Sequence, residues 1–308
     1  MTPILIAGAT GAGKSHLALA LAQEVDGWVI NADSQQVYAP WRVLTARPGP
    51  AEEARAPHKL YGHLPLEAAH SAGDWLRALA LVLEAARAAG AVPIVTGGTG
   101  LYFRALTEGL SPVPSVPAAV RAALAARLEC EGLPSLAADL AARDPETMRG
   151  TAGALDRANP ARVLRALEVL EATGRGLAAW HAEAAPPLLP EAWCHRLVLE
   201  APADWLNRRI EVRFAAMLKG GAIEEVEAVR AAGADPSLPG MKAIGVAEIA
   251  RYLDGAITLQ TAEAEGAAAT RRYAKRQRTW FRNQMPGWTR LTPGPDLLDR
   301  ALATIAGG

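Results

Sequence analysis

Eight consecutive residues, Gly8-Ala9-Thr10-Gly11-Ala12-Gly13-Lys14-Ser15, fit the pattern G-x-x-x-x-G-K-[ST]. Such a loop is chemistry for phosphate. Its glycines let successive backbone N–H groups turn inward on phosphate oxygens, and a following helix adds the positive end of its dipole. Lys14 supplies a point charge, and the Ser15 hydroxyl can ligate Mg²⁺. The pattern requires a polyphosphate or diphosphate ligand without naming the compound. Asp33 closes a second apolar run and would bring a carboxylate to the same edge, where it could hold a metal or take a proton; a cap or turn role is open to the same residue. A third run ends in Gly97-Gly98-Thr99-Gly100, which offers close backbone approach and a hydroxyl but no acidic residue of the kind a hydrolysis-driven motor uses.

Further along, six basic residues and no acidic one lie between Arg271 and Arg282. On a helical wheel Arg271, Lys275, Arg278 and Arg282 share a face, with Arg272 and Arg276 beside them, which suits contact with a phosphate backbone; a merely solvated face has the same appearance. Tyr273 and Trp280 project from the other side and are expected in the core. Arg209 and Arg213 stand one helical turn apart. The six histidines show no metal spacing, and no Ser-His-Asp order points to acyl transfer.

These residues need elements to carry them. Ile4-Leu5-Ile6, the glycine loop and a helix from Ser15 to Gln23 read as strand, loop, helix. Trp28-Val29-Ile30 and Val92 to Val95 read as buried strands. The stretch from Asp74 to Ala89, with Trp75, Leu79, Val82, Leu83 and Ala86 at helical spacing and Gly90 after it, reads as the crossover helix of a parallel sheet. From Ser111 the texture changes to prolines, then to an Ala/Leu/Arg-rich helical region without a convincing strand. One of its helices starts at Asn159-Pro160 and ends at Gly174. Arg196 to Leu199 returns to strand character. Helices are expected over Ala203 to Lys219, Ile223 to Ala232 and Thr270 to Asn283, with a shorter one around Ala247, and the segment after Trp288 is left unassigned. The expected fold is α/β, a P-loop NTPase-like parallel sheet flanked by helices with an all-helical insertion domain. The core would occupy residues 1–110 and 193–308, and the insertion 111–192.

Composition sets the outer limits. The 308 residues carry 32 Lys plus Arg against 32 Asp plus Glu, so any basic surface must be local. Half the residues are hydrophobic but only 5% are aromatic, which favours Ala-rich helices over a β-rich fold. Two cysteines, Cys130 and Cys194, form no metal or disulfide pattern, and no signal peptide or membrane span is evident, so a reduced, cytoplasmic setting is expected.

In order along the chain, the phosphate loop, Asn31-Ala32-Asp33-Ser34-Gln35-Gln36-Val37-Tyr38, Gly97-Gly98-Thr99-Gly100-Leu101-Tyr102 and the run from Thr270 to Arg282 resemble the bacterial tRNA dimethylallyltransferase family. Residues 109–114, 165–169 and 209–214 extend the likeness from Ile4 to about Trp288. The resemblance implies transfer of a dimethylallyl group from its diphosphate to N6 of the adenosine 3′ of the anticodon of tRNA, with Mg²⁺, by a monomer. It implies that Thr10 to Ser15 hold the diphosphate and that Arg213, with Arg209, approaches it. Asp33 would orient N6 and take its proton, and Thr99 would touch the substrate near the reacting centre. Contacts to tRNA would fall on Asp33, Ser34, Gln35, Gln36, Thr99, Arg121, Asn159, Pro160, Ala161, Arg162 and Val163, with Arg271, Lys275, Arg278 and Arg282 on the backbone and the insertion clasping the anticodon stem-loop. The sequence departs from the family at residues 39–48 and at Val246. It carries no Cys/His set for the zinc finger of the eukaryotic members, so no zinc is expected. Three other readings fit parts of the pattern: a small-molecule kinase, a nucleotide-gated RNA-binding protein, and a transferase acting on free adenosine nucleotides.

Overall fold

Runs of small and branched apolar residues form a six-stranded, all-parallel sheet with strand order β3-β2-β4-β1-β5-β6. The computed structural model describes residues 2–150, 155–183 and 185–307. In chain order, β1 (Ile4–Gly8), α1 (Lys14–Glu24), β2 (Gly27–Asn31), α2 (Pro50–Glu53), β3 (His58–Lys59), α3 (Ala72–Ala88), β4 (Val92–Gly97) and α4 (Gly100–Glu108) come first. A helical stretch follows: α5 (Ala118–Arg143), α6 (Pro145–Arg149), α7 (Pro160–Thr173) and α8 (Leu177–His181). Then come β5 (His195–Leu199), α9 (Ala203–Met217), α10 (Ile223–Ala231), α11 (Val246–Leu253), α12 (Leu259–Gln284), β6 (Thr289–Leu291) and α13 (Leu297–Ala306). The chain divides into two units, one of residues 2–107 and 188–307 and one of residues 108–187.

In the first unit every residue of β1 is buried, as a central parallel strand covered on both faces must be. Ile4, Ile6, Ile94 and Leu197 pack against α1 on one face, while Leu5, Val95 and Val198 join Trp75, Leu79, Phe103 and Phe281 on the other. Helix α3 starts with a reciprocal cap, Ser71 Oγ accepting from Asp74 N (3.1 Å) and Asp74 accepting from Ser71 N (2.9 Å). At the C-terminal end of β4, Gly97 lies so close to β2 that a Cβ there would stand 2.1 Å from the Ala32 carbonyl carbon and oxygen. That approach draws the ends of β2 and β4 together.

The helical unit has its own core of Leu124, Leu136, Leu140, Met148, Val163, Ala166 and Leu167. The start of α7 is capped by Asn159, whose Oδ1 accepts from Arg162 N at 3.4 Å, and Gly174 ends it at φ 68°.

Four features differ from the sequence reading. Strand β3 is two residues long, too short to leave a periodic signal. Helix α12 begins at Leu259 rather than Thr270, because Gly266, a poor helix former in isolation, is required where a Cβ would meet Phe214 at 2.1 Å. Helix α9 runs into α10 through a π-helical turn at Leu218–Ala222, with Gly221 at φ 114°. The unassigned tail supplies β6, paired with β5, and α13, whose Leu297 and Ala301 join the α1 face of the core.

Replacing Gly97 by Ala forces a methyl group against the Ala32 backbone. It is expected to lower stability by about 1–3 kcal/mol, read as a fall in the urea midpoint at constant m-value; an unchanged midpoint would contradict the close approach.

Candidate active site

The phosphate loop leaves β1 and enters α1, and it turns through Gly11 at φ 84° and Gly13 at φ 94°, the left-handed region open to glycine. The first N–H groups of α1 have no intrahelical acceptor and face the loop's concavity, as helix geometry dictates. The Lys14 ammonium folds back to donate to the Ala9 carbonyl at 3.0 Å. Desolvation in this recess lowers its pKa to about 8; the Asp33 carboxylate opposes that fall and the Arg213 guanidinium adds to it.

Asp33 is fixed by its neighbours on β2. Asn31 Oδ1 accepts from Asp33 N at 2.8 Å, Asn31 Nδ2 donates to the Asp33 carbonyl at 2.9 Å, and one Asp33 carboxylate oxygen accepts from Gln35 N at 3.0 Å. Its charge opposes the lowering of the Arg213 pKa by burial, and it helps raise those of Tyr61, Tyr102 and Tyr273, where burial is the larger cause. Thr99 Oγ1 accepts from Ser34 N at 2.9 Å and donates to Ser34 Oγ at 3.2 Å, tying the loop after β4 to the loop after β2.

From α9, Arg213 donates to the Thr10 hydroxyl, and Arg209 Nε donates to the Gly11 carbonyl at 3.0 Å. Both guanidinium groups therefore lie at the mouth of the phosphate loop. Thr10, Lys14, Ser15, Asp33, Gln36, Arg209 and Arg213 all border one cavity of about 650 Å³. A positively charged loop and a fixed carboxylate facing one cavity can hold an anionic leaving group while a proton is removed nearby.

The P-loop residues contribute unequally. Ala9 and Ala12 have buried side chains in the core, so only their backbone faces the loop, and Ala12 N is spent on the Ala9 carbonyl at 3.1 Å. Gln36 braces the segment after β2, its Nε2 donating to the Thr45 and Ala46 carbonyls at 2.8 and 3.0 Å. Gln35 Oε1 accepts from Ile244 N at 3.4 Å. Residues 42–44, within the stretch that departs from the family pattern, are anchored by Glu225, which accepts from their three backbone N–H groups at 2.7–3.0 Å.

In the helical unit, Pro160, Ala161 and Arg162 are exposed and Asn159 is the half-buried cap of α7. Arg121 is exposed, 3.9 Å from Glu168. Val163 corrects the expectation: it is 0% exposed in the unit's core and offers a ligand no side-chain surface.

On α12, Lys275 and Arg282 are exposed, whereas Arg271 is half-buried and paired with Glu211 at 2.7 Å, and Arg278 is half-buried. Trp280 packs against the core as expected, whereas Tyr273 belongs to no core cluster and borders a small pocket with Thr10, Asp33 and Gln35. Both are half-buried near the glycine turn after β4: the Tyr273 hydroxyl is near the side chains of Thr99 and Gln277, and the Trp280 indole lies where a Cβ on Gly100 would be 2.1 Å away. Gln277, part of the Thr270–Arg282 run but given no role by the sequence reading, is buried and bonds both the phosphate loop and Gly98. The available signal was its place on the wheel, a polar residue on the arc shared by Ala274 and Phe281.

Residues 36–284 match the family model described as IPP transferase. The chain is 52% identical over 292 residues to a tRNA dimethylallyltransferase of Dinoroseobacter shibae, covering 95% of each chain. It is also 52% identical over 307 residues to that of Rhodopseudomonas palustris, covering 99% of this chain and 93% of the relative. A crystal structure of the full-length tRNA isopentenylpyrophosphate transferase of Bacillus halodurans aligns with TM-score 0.69 and 29% identity over 99% of this chain and 96% of that one. A eukaryotic dimethylallyltransferase solved while acting on tRNA shares the fold, with TM-score 0.80 at 24% identity over 99% of this chain and 77% of that one. With the phosphate loop, the carboxylate of Asp33 and the α9 arginines on one cavity, and with likeness over nearly its whole length, the chain belongs to the IPP transferase family.

Proposed function

We propose that the chain transfers a dimethylallyl group from dimethylallyl diphosphate to N6 of the adenosine 3′ of the anticodon of tRNA, releasing diphosphate. The observation that carries this reading is the shared cavity: Lys14 and Arg213 border it on the phosphate side and Asp33 borders it as a carboxylate.

The N6 lone pair attacks C1 of the dimethylallyl group as the C1–O bond breaks, and the bonding pair leaves on the diphosphate. The N6 proton passes to an Asp33 carboxylate oxygen. Negative charge grows on the departing diphosphate, so the α1 N-terminus, Lys14, Arg209 and Arg213 stabilise the transition state more than the ground state. Thr99, held on Ser34, orients the acceptor base beside Asp33. Mg²⁺ fits the residues present. The Ser15 hydroxyl stands at the first turn of α1, and the buried Thr96 hydroxyl lacks a protein partner in a residue bordering the same cavity. Mg²⁺ characteristically takes few protein oxygens and completes its shell with phosphate and water. When bound it would neutralise diphosphate charge, with Ser15 as the direct protein ligand.

The acceptor adenine must leave its stack to reach such a cavity, so tRNA has to be gripped elsewhere. On α12, Lys275 and Arg282 are free to contact phosphates, with Arg271 and Arg278 behind them. In the helical unit, Arg121, Arg162 and the exposed start of α7 serve the anticodon stem-loop. We place the enzyme in the cytoplasm as a monomer; among the described residues no helix is long and apolar enough to cross a membrane.

Two outcomes are expected. Asp33→Asn should lower kcat by about 10²- to 10⁴-fold, measured as one C5H8 gained per adenosine in digested tRNA, with tRNA retention on filters unchanged; full activity would remove Asp33 as the base. Lys14 is charged below pH about 8 in the free protein and loses its proton above it. Pyrophosphate affinity should therefore weaken on going from pH 7 to 9.5 by calorimetry, by up to tenfold per pH unit for one coupled proton. Lys14→Arg, charged throughout, should lack that component; identical profiles for the two proteins would contradict the assignment.

A further inference from the structure

We propose that Gln277 is a positioning residue for the transfer, its one side-chain amide setting the separation between the diphosphate cradle and the loop that presents the acceptor base to Asp33. The proposal rests on the transferase reading of this cavity.

Gln277 is 5% exposed, deep on the inner side of α12. Its Oε1 accepts from Thr10 N, inside the phosphate loop, at 2.8 Å. Its Nε2 donates to the Gly98 carbonyl, in the turn after β4, at 2.9 Å. Residues 267 and 179 positions away in the chain are thus held by the two ends of one planar group. Gly98 has no room for a side chain: a Cβ would stand 2.1 Å from Gln277 Nε2 and 3.2 Å from an Asp33 carboxylate oxygen. The amide and the Asp33 carboxylate thus both stand close to the space a side chain on Gly98 would fill.

Each end of the amide leads to a group that handles substrate. Thr10, bound through its N–H, accepts from Arg213 through its hydroxyl. Gly98 precedes Thr99, and Tyr273, one turn before Gln277, has its hydroxyl near the side chains of both Gln277 and Thr99. The Thr10 N–H is therefore committed to the amide, and Thr10 serves the diphosphate indirectly, by orienting Arg213.

The residue type follows from the two bonds. One side chain must accept at one end and donate at the other, at a length that spans both partners. Ionised Glu would turn an oxygen toward the Gly98 carbonyl, Lys and Arg cannot accept from Thr10, and Asn is one methylene short. Displacement and proton loss require the C1–O bond, N6 and Asp33 to be in register, and a misplacement of about 1 Å costs on the order of 100-fold in rate.

The test uses the full chain with Gln277→Met, which keeps length and burial without the two bonds, and Gln277→Asn, which withdraws the amide. Steady-state kinetics with dimethylallyl diphosphate and unmodified tRNA, thermal melts, and calorimetry with inorganic pyrophosphate and Mg²⁺ are compared with the unaltered protein. Expected is a fall in kcat of about 10- to 100-fold in either folded variant, with the KM for tRNA within about twofold, because the exposed cations of α12 are untouched. Hydrogen exchange in the peptide containing Thr10 should accelerate, since its N–H loses its acceptor. A kcat within about twofold of the unaltered protein at equal melting temperature would overturn the proposal, and so would a loss confined to the KM for tRNA, which would make Gln277 an RNA contact. If Gln277→Met fails to fold, the same readings on Gln277→Asn decide. Should the unaltered protein prenylate no tRNA, the transferase reading fails by itself. Pyrophosphate affinity and Thr10 exchange then judge the amide's hold on the phosphate loop, and no change in either overturns it.

Discussion

A lysine ammonium drawn out of water needs compensation, and at Lys14 it comes from the Ala9 carbonyl at 3.0 Å and from the charge of Asp33. Arg213 pulls the other way, so two cations and one carboxylate share a partly desolvated recess. Such a site carries an excess of positive charge that an anion would relieve. The core unit is arranged around this imbalance. Strands β1, β2 and β4 deliver the phosphate loop, the carboxylate and the glycine turn to one edge of the sheet, and α9 adds its arginines from the side.

Parallel register does much of this without special residues. With Ile6 opposite Thr96, and Asn31 opposite Thr96 on the other side, β1, β4 and β2 end at nearly the same level, and the loops leaving them must meet. Closeness then depends on small residues. Gly97 admits the Ala32 backbone and Gly266 admits the Phe214 ring. Helix α12 consequently lies close enough to the active edge for Gln277, Tyr273 and Trp280 to reach it, while Lys275 and Arg282 on its other side remain in solvent. One helix serves the site with its inner face and carries free cations on its outer one.

The abundant surface ion pairs have a lesser part. Arg127 with Glu131, Arg251 with Glu265 and Arg230 with Asp254 are substantially exposed, and exposed pairs contribute little because water screens them and their side chains lose freedom on pairing. Their effect here is better seen as neutralisation. Glu211 occupies Arg271, and Glu168 stands near Arg121, so the local density of free positive charge is lower than a count of Arg and Lys implies.

The sequence by itself determined the phosphate loop, because G-x-x-x-x-G-K-[ST] after a buried strand and before a helix is a local device, complete within eight residues. It also determined the parallel α/β class, through apolar runs alternating with helical periods, and the cap and stop of α7 at Asn159 and Gly174. Tertiary structure alone decided the rest. Gln277, Tyr273 and Trp280 gain their roles from atoms far away in sequence, so their spacing distinguishes inner from outer face but not core from active edge. Val163 shows the converse: adjacent to exposed residues in sequence, it turns inward because helical geometry rotates each residue by about 100°. Strands β3 and β6 form because longer neighbours offer them hydrogen bonds, a stabilisation that two or three residues cannot encode alone.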